Sequence, residues 1–255
     1  MMSEVSGDSW FAGVDGCRAG WVVAFARRQC GELRVRVVPR FADVLTAPEA
    51  PAVIAVDIPI GLPERVGCGG RTAENMVRPF LGARKSSVLS VPSRRAVFAE
   101  VGPFPDQRSR YAAHQRACAV ARDTSDPPRG ITIFAFGIFS KIREVDALLR
   151  GDCTLRGRVR ETHPELAFWR LNGERPLPAS KKSEIGLAFR RRLLVKAGFP
   201  RVALSSMPPK GAAPDDVIDA IACAEIARRI TIGCARPYPD PPEHDAVGLP
   251  MAIWA

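Results

Sequence analysis

Two short apolar runs constrain this chain most, because each stops at a lone aspartate. "FAGVD" closes on Asp15 and "VIAVD" on Asp57. A continuous apolar run of this length is the pattern of a central strand covered on both faces. Pro59 stands two residues beyond Asp57 and cannot donate to a ladder, so the second run stops there. In open α/β sheets, ligands bind outside the carboxyl ends of the strands. Both aspartates are expected at such an end.

The flanking segments extend the pattern. "GWVVAFARR" reads as the return strand of a hairpin, and "LRVRVV" alternates apolar with basic residues, as a half-exposed strand does. "RFADVLTA" has room for a short helix. Residues 62–130 are rich in Arg, Pro, Gly and Ser, with weak periodicity. Helices are expected there at 72–81 and 110–122, and "GIFSKIREVDALLR" gives a better one. Next come a short strand ending near Glu161 and a turn or helix begun by Pro164. "SKKSEIGLAFRRRLLVKAG" predicts a helix with Ser180 as N-cap and Gly198 as stop, and the last helix runs from Pro214 to Gly233. The expectation is one α/β domain over 10–255 behind a disordered segment 1–9. Its mixed five-stranded sheet is flanked by helices and carries a largely helical insertion at about 62–150.

Several function classes fall away. No apolar run approaches the roughly 20 residues of a membrane span. "MMSEVSGDSW" has neither the basic nor the apolar region of a signal peptide. The seven cysteines include no C-x-x-C pair, so reduced thiols and a cytoplasmic location are expected. The net charge of +10 suits a polyanionic partner such as nucleic acid. Arginines outnumber lysines 31 to 6, which equally fits a GC-rich coding sequence.

The final helix adds more carboxylates. Between Val217 and Ala227 only Asp219 and Glu225 are ionisable, in a setting of Val, Ile, Ala and Cys. A carboxylate buried there costs several kcal/mol unless it is paired or holds a metal. Asp216 lies three residues before Asp219, on the same face. Asp15, Asp57, Glu161, Asp216 and Asp219 thus form a candidate catalytic and metal-binding set, with Glu165 competing for the place of Glu161. Carboxylates are hard oxygen ligands suited to Mg²⁺ or Mn²⁺. Two such ions can hold a phosphodiester, activate a water and stabilise the leaving oxygen. Asp15 would bridge the ions, Asp57 and Asp219 would hold one each, and Glu161 or Asp216 would complete the shell.

This order of strands and acids resembles the ribonuclease H-like fold and, within it, the resolvases of the RuvC type. A closer resemblance, from about Gly13 to Trp254, is to the domain of unknown function 429 family, described as predicted ribonuclease H-like nucleases. It rests on "VDGCRAGW", "VDIPIGLP", "LGARKSSV" with "PSRRA", "KIREVDALL", "ETHPELAF", "SKKSEIG", "DDVIDAIACA" and "GLPMAIW". The chain departs from the family in placing Glu74 where an Asp is usual, and Phe134 where a Gln is usual.

The resemblance implies a divalent-metal-dependent nuclease acting on nucleic acid or another phosphodiester. Arg71, Arg84, Arg94, Lys141 and Lys182 are then expected to meet phosphates, and His163 to orient a water or a ligand carboxylate. One alternative is a non-catalytic binding protein on the same scaffold. Another is an actin-like ATPase or kinase, although "VDGCRAG" lacks the hydroxyl of a phosphate-cradling turn and no second such turn follows.

Overall fold

The computed structural model describes residues 9–27 and 31–255, so residues 1–8 of the expected disordered segment lie outside the described residues. Strands β1 (Trp10–Cys17), β2 (Gly20–Arg27), β3 (Leu33–Val38), β4 (Val53–Val56) and β5 (Val159–Glu161) form one sheet in the order β3-β2-β1-β4-β5. The β1–β2 and β2–β3 pairs are antiparallel, while β4 runs parallel to both β1 and β5. This mixed five-stranded α/β sheet, with a helical insertion between β4 and β5, is consistent with a ribonuclease H-like arrangement.

Helices cover both faces. They are α1 (Phe41–Leu45), α2 (Thr72–Val77), α3 (Arg94–Phe98), α4 (Gln107–Asp123), α5 (Ile133–Gly137), α6 (Phe139–Gly151) and α7 (Leu155–Arg158). After β5 come α8 (Pro164–Leu171), α9 (Glu184–Lys196), α10 (Arg201–Ser205) and α11 (Pro214–Thr231). Strand alternation divides the core. Phe11, Val22 and Ala24 pack with α8 and α11, while Ala12, Val14 and Trp21 pack with α4 and α6 of the insertion. The insertion therefore shares the sheet's core. Ile218, Ile221 and Ile226 of α11 are buried, each contributing roughly 1.5–3 kcal/mol.

Two local expectations are corrected, and one unassigned segment gains a structure. The helix expected over 72–81 ends at Val77, and a 3₁₀ stretch, Arg78–Ser87, continues it, because Pro79 lacks the N–H that an α-turn needs. Ser183, not Ser180, caps α9: its side chain accepts from the Gly186 N–H at 3.1 Å. A proline-rich segment unassigned by the pattern forms strand β6 (Pro237–His244), which pairs with β7 (Pro250–Trp254). A register shift between Tyr238 and Glu243 takes Pro239, Pro241 and Pro242 out of the ladder.

Candidate metal centre

Asp15 and Asp57 are neighbours because β1 and β4 are. Val14 is in register with Val56, and the Asp57 N–H donates to the Val14 carbonyl at 2.9 Å. Asp15 does not end its strand: β1 continues to Cys17, with Asp15 opposite Val22. Its Oδ1 accepts from the Gly16 N–H at 2.7 Å. Gly13, two residues earlier on the same face, lets α11 come against the strand. A Cβ there would lie 2.0 Å from both the Ala220 oxygen and the Ala224 nitrogen. That contact sets Asp219, buried and one residue before Ala220, beside the two strand acids.

The three acids repel one another in a desolvated place. Burial raises the carboxyl of Asp15 well above its ordinary value, and Asp57 and Asp219 push it further. Burial likewise raises Asp57, against the pull of His163 and Lys181. Asp219 is lifted by burial to about 7 although Lys181 opposes this. Lys181 is the cation set among them. Its Nζ donates to Asp219 Oδ2 and lies 3.8 Å from Asp215. Burial works against the Lys181 ammonium, but Asp219, Asp15 and Asp57 outweigh it and raise its pKa.

A fourth acid stands close by. Glu165 raises both Asp57 and Asp219 electrostatically. Its Oε1 accepts from buried Arg190 at 2.6 Å, while its buried Oε2 has no hydrogen-bond partner. His163 caps α8 through Nδ1, which accepts from the Glu165 N–H, so Nε2 is the protonated nitrogen facing the Ser87 carbonyl at 3.3 Å. A cavity of about 210 Å³ opens here, lined by Asp15, Asp57, Lys141, Glu161 and His163. Lys141 donates to the Gly20 carbonyl at 2.5 Å and lies over the Trp21 ring.

The other expected site residues are placed differently. Glu161 faces the cavity but spends its oxygens elsewhere: Oε1 accepts from Arg71 Nη2 at 2.5 Å, and Oε2 from Arg71 Nη1 and the Ile60 N–H. Arg71 is buried and also binds Glu74, so it is a core residue with no donor turned to a phosphate. Asp216 accepts from the Ala213 N–H at 2.8 Å and caps its own helix. Arg94 pairs with Asp146 and Asp245. Lys182, largely exposed, pairs with Asp215 at 2.5 Å. Arg84 has no hydrogen-bond or ion-pair partner among the described residues, so its donors are free, though its Nε is buried.

A family model described as a protein of unknown function, DUF429, matches residues 13–244. The chain belongs to the DUF429 family. No curated protein and no solved structure matches it.

The donor set of this DUF429 protein fits a hard divalent ion in type and charge. Asp15, Asp57 and Asp219 act on one another electrostatically with Lys181 as counter-ion, and Glu165, one oxygen of which has no partner, acts on two of them. The spacing is looser: among the described residues, no three His, Cys, Asp or Glu side chains stand close enough together to grip an ion as they lie. Binding therefore requires Lys181 to release Asp219 and the acids to draw in. Among the described residues no helix is long and apolar enough to cross a membrane.

Proposed function

We propose that this protein is a divalent-metal-dependent phosphodiester hydrolase whose substrate is nucleic acid. One observation carries the reading. Two buried carboxylates, Asp15 and Asp219, and the half-buried Asp57 meet beside the carboxyl ends of adjacent parallel strands, repel one another and, when ionised, carry more negative charge than Lys181 offsets. Such excess charge is unfavourable in a purely structural cluster. It suits a site that takes up Mg²⁺ or Mn²⁺.

Asp15, Asp57 and Asp219 would hold the metal, with Glu165 supplying its free oxygen in place of Glu161. A bound ion would supply an activated water and neutralise the charge building on the phosphoryl oxygens. The chain's own groups do the rest. Lys181, once it leaves Asp219, is free to pair with a phosphate oxygen. Lys141 presents a second ammonium on the cavity wall. His163 offers Nε2–H as a donor to a substrate oxygen.

Cleavage of labelled DNA and RNA oligonucleotides with Mn²⁺, in wild type and in Asp15→Asn and Asp219→Asn, tests the reading. Loss in both variants supports it. Cleavage unchanged in both places the chemistry elsewhere and defeats it. The Lys181–Asp219 ion pair favours a second reading, a binding protein whose acids are structural. That reading requires that calorimetry with Mn²⁺ show no binding at all.

A further inference from the structure

A second cavity, of about 490 Å³, lies in the insertion on the far side of α6 from the acids. Phe104, Phe136 and Phe139 line it, with Glu100, Arg110 and Arg143 as its charged groups. The volume falls within the range of small-ligand sites. Phe104 is half-buried and offers one ring to the cavity; behind it lie buried Phe136, its centroid 5.8 Å away and tilted by 28°, and buried Phe139, which meets Phe136 edge-on at 5.4 Å. The row continues outward through His114 to Tyr111, which is 61% exposed. Phe134, two residues before Phe136, is 77% exposed.

The charges fit one class of ligand. Glu100 is held by Arg116 at 2.6 and 2.9 Å, which leaves its acidity offset. Arg143 spends Nη1 on the Val97 and Glu100 carbonyls. Arg110 lies against Gly137, and among the described residues its guanidinium has no hydrogen-bond or ion-pair partner. Residues 62–150 carry 15 basic against 8 acidic side chains. A half-buried aromatic ring, Phe104, beside a free guanidinium matches a planar base joined to a phosphate. Base–aromatic stacking next to a cationic track is how single strands are held without sequence preference. A base paired inside a duplex has no face to offer this ring.

The cavity also adjoins the acids. Ile138 and Lys141 line the acid cavity, while Phe139, Ser140 and Arg143 line this one. The first turn of α6 separates them, a thickness of roughly 10 Å. We propose that this cavity binds an unpaired nucleotide, so that the protein takes single-stranded nucleic acid and leads it past α6 to the carboxylates. The proposal rests on the hydrolase reading for its destination, but binding at this cavity is measurable without cleavage.

The test is fluorescence anisotropy with a labelled 20-nucleotide oligothymidylate and a duplex of the same length, in EDTA at fixed salt. The proteins are Asp15→Asn and the same chain carrying Phe104→Leu or Arg110→Gln. Phe104→Leu keeps apolar volume and Arg110→Gln keeps length, and melting curves confirm that both fold. The single strand is expected to bind more tightly than the duplex. Each substitution should weaken single-strand binding roughly tenfold, the scale of one lost stack, and leave duplex binding unchanged. Equal affinity for the two forms, or single-strand binding untouched by both substitutions, overturns the proposal. So does occupation by an apolar peptide that leaves oligonucleotide binding unaltered. If binding behaves as expected and no metal supports cleavage, the hydrolase reading fails and the nucleotide site stands.

Discussion

Two groups of carboxylates stand around one cavity, and they are treated in opposite ways. Glu161 and Glu74 grip a single guanidinium: Arg71 reaches both oxygens of Glu161, while its Nε and its backbone N–H reach Glu74. Asp15, Asp57 and Asp219 share one partly exposed lysine among them. The first group is matched by the protein, and the second is left short of cations. A sequence shows five acids near strand ends and on one helix. Only the partners divide them into ties that hold the fold and groups that wait for something.

The largest expected effect comes from breaking the matched group. Arg71→Met leaves Glu161 and Glu74 buried without a cation, which should cost about 3–5 kcal/mol by the usual penalty for a broken buried pair. Against a typical total of about 5–15 kcal/mol this approaches unfolding. Denaturant titration checks it, and a loss below about 1 kcal/mol would erase the distinction drawn above.

Asp15→Asn should act the other way round. Hydrolysis is expected to fall at least about a hundredfold, the scale of removing one charge-stabilising group. Metal-free stability should hold or rise, since one repelling charge is gone. A lowered melting temperature without metal would put Asp15 among the structural acids.

The pH profile sharpens the contrast at smaller amplitude. In the folded chain Asp219 titrates near 7 against an ordinary 3.8, so the native state holds more protons than the unfolded state between those values. Stability from this group is therefore fully present below about pH 4 and lost as pH rises through 7. Burial holds Glu161 at about 7 as well, so part of the decline belongs to the matched group. Asp219→Asn should flatten the melting temperature between pH 5 and 8 without abolishing the slope. An unaltered slope would mean that the ion pair with Lys181 keeps Asp219 charged throughout. Smallest of all, Lys182→Ala should change stability by less than about 0.5 kcal/mol, as an exposed pair does. A larger loss, read by the same denaturant titration, would mean that the matching of acids extends to Asp215.

Much of this was legible in the sequence. A lone acid after an apolar run made Asp15 and Asp57 stand out, although Asp57 follows its strand while β1 runs on past Asp15 to Cys17. An acid inside an otherwise apolar helix marked Asp219. What failed to show was direction and pairing. Glu161 lies on a three-residue strand, and its side chain is claimed by Arg71, 90 positions away, which no local pattern encodes. Glu165 reaches the acids because His163 starts a helix there. Lys181 and Lys182 are adjacent in a loop without periodicity, so nothing local tells which one faces inward. The hydroxyls of Ser180 and Ser183 suit a cap equally well, and only the Gly186 amide decides between them.

The bare Gly13 has a mechanical consequence. Where α11 touches β1, backbone meets backbone with no side chain to compress, so the joint has no give. Asp15 and Asp219 are thus mounted on a stiff frame. Any tightening around a guest must then come from the side chains of the acids and from the release of Lys181, with the strand–helix joint as the fixed anvil.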